Sequence, residues 1–116
     1  MSLYVGQLPT RLLNDRQIRP TEYRKWRHAV ERFERRDKDR KIVADLVATI
    51  PTAGLRKPIV IGIDDRFHDV YVSDGHHRSV ALMRLGVETF PFHWYWIRTY
   101  GVRMESDPFP YHQLGL

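Results

Sequence analysis

The residues best placed for chemistry are Asp74-Gly75-His76-His77-Arg78-Ser79, which follow Val70-Tyr71-Val72-Ser73 and precede an apolar run from Val80 to Leu85 closed by Gly86. Period-two alternation predicts a strand up to Asp74, and the apolar run predicts a helix from His76 to Leu85. A glycine at the handover lets the backbone turn tightly and approach a ligand closely. The first amides of the helix have no partner inside it, and its dipole is positive at that end. With the guanidinium of Arg78, they make an anion site, most naturally for phosphate, drawn from Asp74, Gly75, His76, His77, Arg78 and Ser79. An ordinary strand-to-helix turn bearing two solvated histidines fits the same spacing, and both readings stay open at this level.

Elements on either side must position that turn. Pro58 to Ile63 is β-branched and nearly continuous, as a strand buried on both faces requires, and the polar turn Asp64 to Asp69 makes residues 58–73 a hairpin. Phe90 to Ile97 reads as a strand with Phe90, Phe92, Trp94 and Trp96 on one face and His93, Tyr95 and Ile97 on the other. Pro91 favours an edge position or a strand beginning there. Upstream, Leu3-Tyr4-Val5 is a candidate first strand. Thr21 is the expected N-cap of a helix whose Tyr23, Trp26, Val30 and Phe33 recur at three- and four-residue steps, the usual signature of core packing. Asp37-Lys38-Asp39 offers a cap for a second helix with Ile42, Val43, Leu46, Val47 and Ile50 on its apolar face, stopped by Pro51. Whether the two helices are continuous or kinked is left open. Residues 99–116 lack a clear period and read as an irregular tail that packs on the body or on a partner chain, which leaves room for a homo-oligomer.

A chain of 116 residues with 42% hydrophobic content fits one globular domain, 1–116. No apolar run approaches the ~20 residues of a membrane span, and the N-terminus lacks a secretory apolar region, so a cytoplasmic protein with no membrane partner is expected. The absence of cysteine excludes disulfides, thiolate metal sites and a thiol nucleophile. The net charge of +5 is local: residues 11–41 hold 12 Lys or Arg against 6 Asp or Glu, and the remainder 7 against 8. Within a basic helical segment over 21–41, Arg24, Lys25, Arg27, Arg32, Arg35, Arg36, Lys38, Arg40 and Lys41 are candidate nucleic-acid contacts. A solvated face laced with ion pairs accounts for the interleaved signs equally well. No metal site is expected, because His76 and His77 diverge by about 100° on a helix and the other histidines lack ligand spacing.

The order of signals resembles the ParB/sulfiredoxin-like superfamily. It runs from Leu46-Val47-Ala48-Thr49-Ile50 through Gly54-Leu55-Arg56-Lys57-Pro58-Ile59-Val60-Ile61 and Asp74-Gly75-His76-His77-Arg78 to Ala81-Leu82, Leu85-Gly86 and Phe90-Pro91-Phe92. The resemblance covers about residues 40 to 97. It implies an α/β (α+β) domain, a small mixed sheet with packed helices, holding a nucleotide by its phosphates on the Gly-x-x-Arg turn. Sulfiredoxins place a cysteine after the glycine where this chain has His76, so that activity is excluded. Partitioning ParB proteins add a DNA-reading domain, for which the 30 residues after Gly86 leave little room.

The wording of the turn is nearest to that of ParB-like kinases acting on free serine, which carry Asp-Gly-His-His-Arg and an upstream Glu after a Pro. Arg19-Pro20-Thr21-Glu22 stands in the corresponding place, so the resemblance implies Glu22 as a base for a hydroxyl nucleophile; a Glu favoured by the dipole of a first helical turn is the plain alternative. Two functions follow, beside a third in which the fold serves only as a protein-interaction scaffold. One is a nucleotide- or DNA-binding module that takes ATP, ADP or CTP, with or without Mg2+, and contacts DNA through the basic helix. The other is a phosphotransferase or nucleoside triphosphate hydrolase working through Glu22.

Overall fold

The computed structural model describes residues 6–98, 101–104 and 109–115. In chain order the elements are β1 (Gln7–Pro9), a 3-10 turn (Thr10–Leu12), β2 (Arg19–Pro20), α1 (Trp26–Arg35), α2 (Asp37–Ala53), β3 (Ile59–Asp64), β4 (Asp69–Asp74), α3 (His76–Leu85), β5 (Thr89–Arg98), β6 (Gly101–Met104) and a 3-10 turn (Tyr111–Leu114). The candidate strand Leu3–Val5 lies outside the described residues.

The sheet runs β1-β5-β3-β4-β2, with β6 also paired to β5. It is mixed: β3 is antiparallel to β4 and parallel to β5, β2 is parallel to β4, and β1 and β6 are antiparallel to β5. Register puts Ile61 between Val72 and Trp94, and Gly62 between Tyr71 and Tyr95. Since neighbours in register share a face, the first row is apolar and the second carries hydroxyls. Ile59, Ile61, Ile63, Val72, Phe90, Phe92, Trp94 and Trp96 are all buried, in one core with Trp26, Ala29 and Phe33 of α1, Val43 and Ile50 of α2, and Val80, Ala81 and Leu82 of α3. The expected hairpin, the helix from His76 to Leu85 and the aromatic alternation of β5 are all present.

Several expectations need correction. Thr21 does not cap α1, which begins at Trp26; the amide of Trp26 instead donates to Asp15 Oδ1 at 2.7 Å. That cap comes from a loop 11 residues upstream, so no local pattern announces it. Residues 21–25 of the basic segment are not helical, and its two expected helices are separate, broken at Arg36, whose backbone is extended. Pro51 does not stop α2; the helix runs to Ala53 and Gly54 donates to the Ile50 carbonyl at 2.8 Å. A proline in a final turn removes one bond, to Val47, while later amides can still close the turn. Of the two places open to Pro91, the start of a strand is the one found, opposite Gln7 in a β5 that begins at Thr89; an edge position is not, because β5 lies between β3 and β1. The tail holds β6 and a 3-10 turn, and Phe109 packs edge-on against Phe92 and Trp94. Among the described residues no helix is long and apolar enough to cross a membrane.

Candidate functional site

Gly75 joins β4 to α3 in a left-handed conformation, φ 114° and ψ 32°. A Cβ there would lie 3.3 Å from both Arg78 Cζ and Ile59 Cγ1, so glycine serves the backbone angle and the close approach together. Ser79 is fully buried, and its hydroxyl and amide each donate to the Gly75 carbonyl at 2.8 Å. It therefore secures the turn from within rather than facing a ligand. Arg78 is also largely engaged: Nη1 donates to the carbonyls of Lys57 (2.9 Å) and Pro58 (2.6 Å), and Nη2 pairs with Asp74 Oδ2 at 3.1 Å. The guanidinium staples the turn to the entry of β3, and its charge remains beside the first amides of α3.

The two histidines part company, as their spacing on a helix demands. His76 is buried, and its Nε2 accepts the amide of Thr21 at 3.0 Å, with the Glu22 amide at 3.5 Å. Burial pushes the His76 imidazole below its ordinary range, against the upward pull of Glu22 and Asp74 and together with a downward push from His77. Thr21 donates its own hydroxyl to the Val72 carbonyl at 2.8 Å. The segment carrying Glu22 is thus tied to β4 and α3 by side chains. His77 points the other way: it stacks on Phe33 with centroids 4.2 Å apart and donates through Nε2 to Asp39 Oδ1 at 2.9 Å. That pins α3 to α1 and α2.

A cavity of about 450 Å³ opens in front of this turn. Ser73 through Arg78 form one wall, Ile42, Leu46 and Thr49 of α2 another, and Gly54 through Lys57 a third, with Glu22 also at its lining. The volume falls in the ~300–1,000 Å³ range of small-molecule sites. The predicted residues Asp74, Gly75, His76, His77, Arg78 and Glu22 are brought together here, and Ser79 is not. None of the nine candidate nucleic-acid contacts lines the cavity. Arg24 and Lys25 lie in the loop before α1; Arg27, Arg32 and Arg35 are on α1, Arg36 at the break, and Lys38, Arg40 and Lys41 on α2. All are exposed except the half-buried Arg32.

Arg56, Lys57 and Ile42 belong to the cavity and were missed as site residues. Arg56 and Lys57 stand just before the buried strand, where a cationic pair reads as an ordinary loop. The period of α2 puts Ile42 on the core face, yet it is 37% exposed, one of two large apolar side chains so placed among the described residues. Among those residues no group of three or more His, Cys, Asp or Glu could hold a metal.

The mixed sheet and the three helices are those of an α/β domain of ParB/sulfiredoxin-like fold. A solved structure, sulfiredoxin from Arabidopsis thaliana, matches with a TM-score of 0.50 and 25% sequence identity, over 76% of this chain and 80% of its own. No family model matches the chain, and no curated protein matches its sequence. With no cysteine at any position, this member of the fold has no thiol to work with.

Proposed function

We propose that the chain is a nucleotide-binding module of the ParB-like kind, taking the phosphates of ATP, ADP or CTP at the N-terminus of α3. The observation that carries the reading is one cavity whose lining joins the first residues of α3 and the cations of Arg56 and Lys57 to an apolar shelf of the exposed Ile42 and the half-buried Leu46. Phosphates favour the amide end and the cations, while a planar base favours the shelf. Mg2+ is usually held by one or two carboxylates together with ligand phosphates, and Glu22 and Asp74 are the carboxylates at this cavity. They fit an ion carried in with the nucleotide and supply too few ligands to retain one alone. Titration calorimetry with ATP, ADP, CTP and GTP tests the reading. Saturable binding of at least one, weakened when Lys57 is replaced by Ala, is expected; no heat with any of them overturns it.

A second reading, phosphotransfer to a hydroxyl or nucleotide hydrolysis, is favoured by Glu22, which lines the same cavity on a segment latched by His76. Its carboxylate would accept the proton of the attacking hydroxyl while the cations hold the phosphates. DNA contact through the exposed basic residues of α1 and α2 is compatible with either, since those residues lie outside the cavity.

A further inference from the structure

Beyond the Gly-x-x-Arg turn, the sheet delivers a line of hydroxyls to the same cavity. Tyr71 is buried, and its ring lies so closely over Gly62 that a Cβ there would stand 2.6 Å from two ring carbons. Gly62 is paired in register with Tyr71 on one side and Tyr95 on the other, which leaves the space over β3 to the two phenols. Burial and a hydrogen bond to Tyr95 hold the Tyr71 phenol protonated well above its usual range. Tyr95 in turn donates to Ser73 Oγ at 2.7 Å. Ser73 is exposed and forms part of the cavity wall next to Asp74 and Gly75.

A hydroxyl that accepts one hydrogen bond keeps its own proton for another partner, and successive hydroxyls polarise one another in the same sense. The line from Tyr95 to Ser73 therefore ends in a donor at the mouth of the cavity. Resting on the nucleotide reading, we propose that Ser73 is a ligand-contacting residue that donates to a phosphate oxygen, and that Tyr95 is the positioning residue that aims it. The site then discriminates a phosphorylated ligand from its parent nucleoside through a hydroxyl as well as through charge.

Calorimetry on the full chain tests this with the tightest-binding nucleotide of the panel and its parent nucleoside. Ser73→Ala is expected to weaken the nucleotide roughly tenfold or more, as for a hydrogen bond to a charged group. Ser73→Thr, which retains the hydroxyl, should recover most of that loss, and the nucleoside should bind all these proteins alike. Tyr95→Phe is expected to cost a few-fold in the wild-type background and nothing further in Ser73→Ala, a non-additivity that a merely structural tyrosine would not show. Wild-type affinity in Ser73→Ala, or an equal loss from Tyr95→Phe in both backgrounds, overturns this proposal and leaves the nucleotide reading standing. A wild-type protein that binds no nucleotide overturns both.

Discussion

His76 Nε2 accepts the backbone amide of Thr21 across 3.0 Å, so a residue of the Gly-x-x-Arg turn fixes the course of a segment 55 positions earlier. An acceptor nitrogen carries no proton, which places the ring's single proton on Nδ1 in the neutral form. Protonation would turn Nε2 into a donor facing the amides of Thr21 and Glu22, with the Thr21 hydroxyl oxygen at 3.3 Å as its acceptor there.

The pH dependence of stability follows. The folded His76 titrates below its ordinary value of 6.5, so the unfolded chain takes up the proton first as pH falls. The contribution is present in full above about 6.5 and is lost as pH drops from there through the lower folded value. Thermal melts from pH 7.5 to 5 should show the wild type losing stability, and His76→Gln, which keeps an acceptor but does not titrate, should show a flatter profile. Parallel profiles would assign the effect to another group.

Arg78 is as much a structural part as a ligand-facing one. Removing it leaves the carbonyls of Lys57 and Pro58 and the carboxylate of Asp74 without the fork that joins them. Arg78→Ala should cost about 2–3 kcal/mol, on the scale of hydrogen bonds to a charged group. Arg78→Lys should restore little, since one ammonium does not reproduce a planar fork. Urea midpoints measured without ligand decide it: an unchanged midpoint for Arg78→Ala would mean that the staple contributes nothing.

Gly75→Ala adds strain at φ 114° to the 3.3 Å approaches to Arg78 and Ile59. A cost of about 1–3 kcal/mol is expected for a residue held in so sparsely populated a backbone region. Gly54→Ala, at φ 69° with nothing within 4 Å of the added carbon, is the control for strain without crowding. Equal losses in the two variants would show that crowding at Gly75 plays no part.

How legible the site was depended on where each residue's partners lie. α3, the β3–β4 hairpin and the buried face of β5 could be read because period and punctuation within one segment specify them. The start of α1 could not, since its cap is Asp15 in a distant loop, and neither could β2, two residues made a strand by pairing with Tyr71 and Val72. The turn at 74–79 was recognisable as a unit, yet its division of labour was not: Ser79 and His77 spend their polar atoms on the fold, and His76 latches a loop. Arg56, Lys57 and Ser73 join the site only because tertiary packing closes three separate segments around one space.

For phosphotransfer, Glu22→Gln should remove turnover and leave nucleotide affinity within a few-fold, because the amide keeps the size of the side chain and loses only its basicity. A general base typically contributes about 10²–10⁴-fold. Product formation from ATP or ADP with small hydroxyl acceptors, read alongside calorimetry on the same protein, separates the two effects. Unchanged turnover would remove Glu22 from the mechanism.

The basic residues of α1, α2 and the loop before them make a separate prediction for DNA. If Arg24, Lys25, Arg27, Arg35 and Lys38 meet phosphates, each contact releases counterions and affinity for arbitrary duplex falls steeply with salt. About five such contacts would lower affinity on the order of a hundredfold for a threefold rise in salt. Since none of these side chains lines the cavity, Arg24→Glu with Arg27→Glu should flatten the salt slope and leave nucleotide affinity unchanged. Arg40 makes the useful control, because its guanidinium is already engaged by Asp37 and the Glu34 carbonyl, and Arg40→Gln should alter the slope less than removal of an unengaged cation. Failure to retain the wild type on duplex DNA at low salt would show that the basic faces are solvated surface laced with their own acidic neighbours.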